Sequence, residues 1–73
     1  MMIVRKVFRV EGMYCGACAV SADIMLMAVE GVKFARVDFE TCSAEVEYNQ
    51  AHAGLIDLNH ALKGLGYRLE ERT

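Results

Sequence analysis

The chain has 73 residues, which is enough for one small domain and too few to enclose a large active site. Hydrophobic residues make up 55% and charged residues 25%, so a disordered chain is excluded and a hydrophobic core is expected. A net charge of -2 argues against a nucleic-acid partner that is held mainly through its phosphates. We therefore expect a single folded domain over residues 1–73.

The cysteine content and the hydropathy pattern bear on the cellular compartment. Three cysteines are too few, and odd in number, for a disulfide framework, and free thiols are typical of a reducing compartment. The first residues lack the apolar core of a signal peptide, and no stretch approaches the roughly 20 apolar residues of a membrane span. The sequence thus predicts a cytoplasmic protein without direct membrane insertion.

The first two elements are a strand and a helix. Residues 4–10 are rich in β-branched and aromatic residues and predict a first strand, with Phe8 and Val10 on one side and Arg5, Val7 and Arg9 on the other. Gly12 and Gly16 interrupt this pattern. Residues 17–29 are helix formers without glycine or proline, and they predict a first helix that ends before Gly31.

A hairpin, a second helix and a last strand follow. Residues 35–39 and 44–48 alternate strictly and predict two strands joined by a turn at 41–43. A leucine stripe at helical spacing predicts a second helix: Leu55, Leu58, Leu62 and Leu65. Residues 67–71 can form a short last strand. The order βαββαβ predicts an α+β fold with an antiparallel sheet and both helices on one face.

This topology brings three connections to one end of the domain, because the first and second strands run parallel. Cys15, Cys18, Cys42 and Tyr67 are then expected on one rim. Cys42 is expected about 7 to 12 Å to the side of the first loop, since strands lie about 4.8 Å apart. Whether Cys42 reaches the other two cysteines stays open at this point.

The segment from Gly12 to Cys18 carries the chemistry. Cys15 and Cys18 are three residues apart and can converge on one ion if the first lies in a loop and the second in the first turn of a helix. A helix N-terminus offers unpaired N–H groups and a positive potential, which favour the thiolate that binds metal. Two thiolates suit Cu(I) or Hg(II). Zn(II), and Cd(II) with it, is expected less because zinc normally takes four ligands.

The run Gly-Met-Tyr-Cys-Gly-Ala-Cys resembles the GMxCxxC loop of the heavy-metal-associated domain family. The resemblance extends over Glu30-Gly31-Val32, Glu45-Val46-Glu47-Tyr48 and Leu65-Gly66-Tyr67. Members include bacterial copper chaperones, metal-binding domains of P-type ATPases, and mercuric-ion binding proteins and reductase domains. The resemblance implies a ferredoxin-like fold and a metal ion bound by Cys15 and Cys18. It also implies transfer of that ion to matching cysteines of a partner, such as a P-type ATPase.

The predicted function is binding and transfer of a soft metal ion, by a domain that is not an enzyme by itself. A Cu(I) chaperone, or an N-terminal metal-binding domain of a copper-transporting P-type ATPase, is the first expectation. An Hg(II)-binding domain of a mercuric reductase or transport system is the alternative, and Tyr14, where the family usually has threonine, leaves the metal open. Two further classes are a thiol redox module, which the absence of proline disfavours, and a partner-docking domain.

Five other residues belong to the expected surroundings of the site. Met13 is expected to anchor the loop in the core and so to modulate the site, with a thioether ligand as its alternative role. Tyr67 is expected to lie over the loop and modulate the site by excluding water. Cys42 is interpreted as a small half-buried residue, with a third metal ligand as its alternative role. His52 and His60 are expected to face solvent.

The first helix is apolar nearly all round. The family resemblance implies that four of its residues face the sheet, namely Ala22, Met25, Leu26 and Val29. A second apolar stripe then faces outward, consisting of Val20, Ile24, Met27 and Ala28. Such a helix is usually covered by something. We therefore expect docking of a partner domain or a homodimer through Val20, Ile24 and Met27.

The same fold also binds RNA in other proteins, through aromatic and basic residues on the open sheet face. Here that face is predicted to carry Val7, Arg9, Glu45 and Glu47. The two acidic residues would repel phosphate, so an RNA partner is not expected.

Overall fold

The computed structural model describes residues 2–12 and 16–71 and has the predicted βαββαβ order. Its strands are β1 (Ile3–Glu11), β2 (Val32–Asp38), β3 (Ser43–Asn49) and β4 (Arg68–Glu71). Its helices are α1 (Gly16–Met27) and α2 (Leu55–Leu62), and a 3₁₀ turn over Lys63–Leu65 extends α2.

The four strands form one antiparallel sheet in the order β2-β3-β1-β4. The register places Phe8 opposite Ala44 and Val10 opposite Leu69. Buried and exposed residues alternate along β1, β2 and β3, so the sheet has one covered face and one open face. α1 packs mainly on β2 and α2 packs on β4, which confirms the predicted two-layer, ferredoxin-like architecture.

The core lies between the sheet and the two helices. Its largest fully buried side chains are Phe8, Leu26, Val46, Leu58, Leu62 and Leu69. The rings of Phe8 and Tyr48 lie 6.4 Å apart with a tilt of 32°. No polar or charged residue is buried in the part of the chain that the structure describes. Burial of apolar surface is therefore the main source of stability.

α1 ends two residues earlier than predicted. The N–H group of Val29 bonds to the carbonyl of Leu26 at 3.1 Å, which tightens the last turn. Gly31 then takes a φ of 94°, a left-handed conformation that reverses the chain toward β2. The expectation that Met25 faces the sheet was wrong, because its side chain is 40% exposed.

The hairpin turn also differs slightly from the prediction. It spans residues 39–42, because Ser43 already pairs with Asp38 and belongs to β3. Phe39 at the start of this turn is part-exposed. Neither helix in the described ranges has the length and hydropathy needed to span a bilayer.

Candidate metal centre

Two chain segments flank the end of β1, where the chain leads into the cysteine motif. The N–H group of Val10 bonds to the carbonyl of Cys42 at 2.8 Å, which brings the hairpin turn beside β1. On the other side, the carbonyl oxygen of Gly66 lies 2.6 Å from the position that a Cβ atom on Gly12 would occupy. Cys42 and Tyr67 therefore share the rim on which the topology predicted them.

The missing side chain of Gly12 makes this close approach sterically feasible, and Gly66 permits the backbone conformation of the turn. Gly12 has a φ of 90° and Gly66 a φ of 76°, and both values are unfavourable for any residue with a side chain. A Cβ atom on Gly12 would also lie 3.6 Å from Cδ1 of Tyr67. The backbone that precedes Met13 is thus held against the turn between the 3₁₀ segment and β4.

Tyr67 is the aromatic residue of the rim. It is only 7% exposed, and it belongs to the hydrophobic core. Its N–H group bonds to the carbonyl of Leu62, which ties the start of β4 to the end of α2. The ring therefore lies beside the residue that opens the motif, and its predicted influence on a bound ion remains a prediction.

Asn59 on α2 holds the strand that follows Tyr67, and it was not among the residues predicted from the sequence. Its Oδ1 accepts a hydrogen bond from the N–H group of Leu69 at 2.6 Å, and its Nδ2 donates to the carbonyl of Leu69 at 3.2 Å. These two bonds tie α2 to β4 two residues after Tyr67. Its position was the one signal in the sequence that could have identified it. Asn59 is polar, but it lies four positions after Leu55 and therefore on the side of the helix that carries the leucine stripe.

Cys18 is the third residue of α1 and lies in its first turn. It is half-buried and packs against the hydrophobic core. The first turn of α1 contains no acidic residue, so no side-chain carboxylate there reduces the positive potential of the helix N-terminus. Met13, Tyr14 and Cys15 lie outside the described residues. The roles predicted for Met13 as an anchor and for Cys15 as a ligand therefore stay predictions.

Cys42 differs from its predicted environment. It is exposed rather than half-buried, because it occupies the last position of the hairpin turn. Its φ of 50° is left-handed, and its thiol lies 3.5 Å from the carbonyl oxygen of Phe39. Among the described residues, no three His, Cys, Asp or Glu side chains are grouped to hold a metal. The role of Cys42 as a third ligand stays a prediction.

The remaining candidate residues lie where the sequence indicated. His52 and His60 are exposed. On the open sheet face, Arg5 pairs with Glu45 at 3.1 Å and lies 5.3 Å from the ring centre of Phe34. This face therefore carries charges of both signs, and the absence of an RNA partner stays a prediction.

The model of the family described as "Heavy-metal-associated domain" matches residues 7–68, a range that includes both cysteines of the motif. The chain belongs to this family. This match confirms the family resemblance noted in the sequence, and it agrees with the ferredoxin-like fold described above. The members of this family are metal-binding domains, in agreement with the prediction that the chain is not an enzyme by itself.

Two curated relatives show the range of proteins that carry this heavy-metal-associated domain. The chain is 43% identical over 63 residues to the copper-exporting P-type ATPase of Bacillus subtilis, a match that covers 86% of the chain and 8% of the ATPase. It is 29% identical over 63 residues to the copper chaperone CopZ of Staphylococcus aureus, which it covers over 93% of its length. The chain thus spans a small part of the first relative and nearly all of the second.

Solved structures agree with this assignment. Oxidized MerP from Ralstonia metallidurans aligns with a TM-score of 0.88 and 30% identity over 97% of this chain and 99% of MerP. The Cu(I)-loaded N-terminal domain of a potential copper-translocating P-type ATPase from Bacillus subtilis aligns with a TM-score of 0.85 and 40% identity, covering 96% of this chain and 88% of that one. The chain is therefore a heavy-metal-associated domain similar to copper chaperones, P-type ATPase domains and MerP.

Proposed function

We propose that this domain binds Cu(I) between the thiolates of Cys15 and Cys18 and transfers it to a partner with a matching cysteine pair. The partner is a P-type ATPase, and the exchange takes place in the cytoplasm. The observation that supports this most is the family match over residues 7–68, together with the position of Cys18 in the first turn of α1. The copper-related relatives support Cu(I) as the cargo.

The helix N-terminus supplies the electrostatics that binding requires. A helix N-terminus carries a partial positive charge, and this potential stabilises the thiolate of Cys18 once the protein is reduced. A complex of two thiolates with Cu(I) has one net negative charge, and the same potential stabilises it. Binding releases the protons of the two thiols to the solvent, so that metal affinity rises with pH.

Transfer needs no change in oxidation state. A thiolate of the partner adds to Cu(I) as a third sulfur ligand, and one of the two original sulfur–copper bonds then breaks. The leaving sulfur takes up a proton from the solvent. The second cysteine of the partner then displaces the other sulfur in the same way, which completes the transfer. Cys42 and Gly66, which flank the end of β1, are both exposed, and this supports the approach of a partner from this side.

An anaerobic titration of the reduced protein with Cu(I), against a competing chelator, tests this proposal. We expect Cys15→Ser and Cys18→Ser each to lower the Cu(I) affinity by about 100-fold or more. Removing a metal ligand decreases affinity more than removing a residue that only supports a ligand. Cys42→Ser is the matched control and should weaken retention by less than about tenfold. A larger loss in Cys42→Ser would identify it as a ligand, and a failure of the native domain to compete for Cu(I) would refute the proposal.

Hg(II) is the second candidate cargo. The observation that favours it is the close structural similarity to MerP over nearly the full length of both chains. Hg(II) with two thiolates is a neutral complex and gains less from the potential of the helix N-terminus than the anionic Cu(I) complex does. A competition between the two ions in the presence of glutathione, read by sulfur-to-metal absorption bands, decides between them.

A further inference from the structure

Each outer strand of the sheet is bonded at one residue by a polar side chain of a helix. The strand order makes β2 and β4 the outer strands. On β2, the N–H group of Val37 donates to the carboxylate of Asp23 in α1. On β4, Asn59 of α2 accepts a hydrogen bond from the N–H group of Leu69 and donates one to its carbonyl oxygen. These side chains occupy backbone groups that a further strand needs for pairing.

Both backbone groups of Leu69 point to the outer edge of the sheet. Opposite residues of an antiparallel pair alternate: one pair exchanges hydrogen bonds, and in the next pair the backbone groups point away from each other. Leu69 lies opposite Val10, whose N–H group bonds to the carbonyl of Cys42 on the other side of β1. The Val10–Leu69 pair is therefore of the second kind. Leu69 receives from Asn59 the partners that β1 does not supply.

We propose that Asn59 keeps β4 from pairing with β4 of a second copy of this chain. Among the hydrogen bonds of the described residues, those of Asn59 alone join a side chain to the backbone of β4. The other outer strand, β2, has a further protection, because its pairing shifts between Val32 and Phe34 and such an irregularity makes an edge harder to extend. β4 pairs regularly over its four residues and depends on Asn59.

The edge of β4 is complementary to itself, as a two-fold interface requires. Antiparallel pairing centred on Leu69 lets the two Leu69 residues exchange two N–H···O bonds. Each Arg68 then lies opposite Glu70 of the second copy, on the open sheet face where the two side chains already pair at 2.8 Å within one chain. On β1, Glu11 lies opposite Arg68 and Arg9 opposite Glu70. The charges therefore alternate in sign along each row of the joined sheet: Glu11, Arg68, Glu70 and Arg9.

The side of β4 that faces α2 also accepts a second strand. A groove of about 460 Å³ lies between α2 and β4. Ile56 lines this groove and is 85% exposed, so an added strand would cover apolar surface. In the register centred on Leu69, Glu71 of the second copy lies opposite Tyr67. The charged residues that line the groove, Lys63 and Arg68, are basic and suit this carboxylate.

Sedimentation equilibrium of the reduced, metal-free protein, over about 10 μM to about 1 mM, tests the proposal. Asn59→Ala should raise the association constant above that of the native chain by at least about tenfold. Asn49→Ala makes the same chemical change at an exposed turn and should behave like the native chain. Val46→Ala removes buried carbon atoms from β3, away from both edges, and is the control for a loss of stability.

Charge substitutions in the Asn59→Ala background test the antiparallel register. Adding Arg68→Glu places like charges opposite each other twice and should weaken the association by about fivefold or more. Adding Glu70→Arg to that double variant restores opposite charges and should recover most of the association. A triple variant that is no better than the double variant would overturn the register centred on Leu69.

Hydrogen exchange of the native chain keeps the proposal testable even if Asn59→Ala does not fold. The N–H group of Leu69 should exchange at least about tenfold more slowly than an open-chain amide, because Asn59 covers it. Exchange at the open-chain rate would overturn the proposal. So would an Asn59→Ala variant that is folded and associates no more than the native chain, or a Val46→Ala variant that associates equally well. All these measurements use metal-free protein, so they do not depend on the proposed transfer of Cu(I).

Discussion

Replacement of Gly12 by alanine should strongly destabilise the domain, because two separate costs coincide at this position. The φ of 90° is left-handed, which costs a residue with a Cβ atom about 1–2 kcal/mol. The new Cβ atom would lie 2.6 Å from the carbonyl oxygen of Gly66, a backbone atom that can move only with its turn. Such overpacking costs about 1–3 kcal/mol more. We therefore expect a loss of about 2–5 kcal/mol in the free energy of unfolding.

Two other glycines separate these two costs. Gly66 has a φ of 76° but open space around its Cα atom, so Gly66→Ala should cost only the conformational part, about 1–2 kcal/mol. Gly64 has open space and no left-handed φ, so Gly64→Ala should leave stability unchanged or raise it by up to about 1 kcal/mol. The three variants make the same chemical change within one part of the fold.

Urea unfolding of the reduced, metal-free protein, followed by circular dichroism, measures this series. A domain of 73 residues has a total stability of about 4–11 kcal/mol, so the Gly12→Ala loss is a large share of it. The unfolding midpoints should decrease in the order Gly64→Ala, Gly66→Ala, Gly12→Ala. Equal midpoints for the last two variants would show that the end of β1 does not press against the Gly66 turn, and the description of the rim would then be wrong.

Two further predictions concern α2, β4 and Tyr67. Asn59→Ala leaves the N–H and C=O groups of Leu69 without their partners and should cost about 2–4 kcal/mol in urea unfolding. Asn49→Ala, which removes one exposed bond to the N–H group of Ala51, is the control and should cost about 1 kcal/mol or less; similar losses would contradict the link between α2 and β4. Tyr67→Leu should speed release of Cu(I) to a chelator by about three- to tenfold, because it removes the ring that lies beside Gly12 and is predicted to exclude water there. Stopped-flow absorbance measures that rate, and an unchanged rate would show that Tyr67 has a packing role only.

Local patterns in the sequence predicted the elements because each pattern depends on near neighbours. The alternation in residues 35–39 and 44–48 produced β2 and β3, since one face of the sheet is covered and the other is open. The leucine stripe produced α2 and its 3₁₀ extension for the same reason. The end of α1 was less predictable, because Ala28 and Val29 continue the apolar run of the helix without a glycine or proline, while the chain must already turn toward β2 at Gly31.

The candidate site was predicted in part. The spacing of Cys15 and Cys18 beside a helix start follows from the sequence, and the structure places Cys18 in the first turn of α1. The environment of Cys42 was predicted wrongly as half-buried. Its position in the turn depends on the hydrogen bond between its carbonyl and Val10, which lies 32 positions earlier in the chain.

The sequence alone determined the local features of this protein: two cysteines three residues apart at a predicted helix start, a βαββαβ order, and a helix without a polar face. The tertiary structure decided which distant groups meet, namely Gly12 with Gly66, Asn59 with Leu69, and Asp23 with Val37. The physical reason is that thiol chemistry and periodicity are properties of a residue and its near neighbours. Close approach, hydrogen-bond partnership and exposure depend on how separate elements pack, and no short stretch of sequence contains that information.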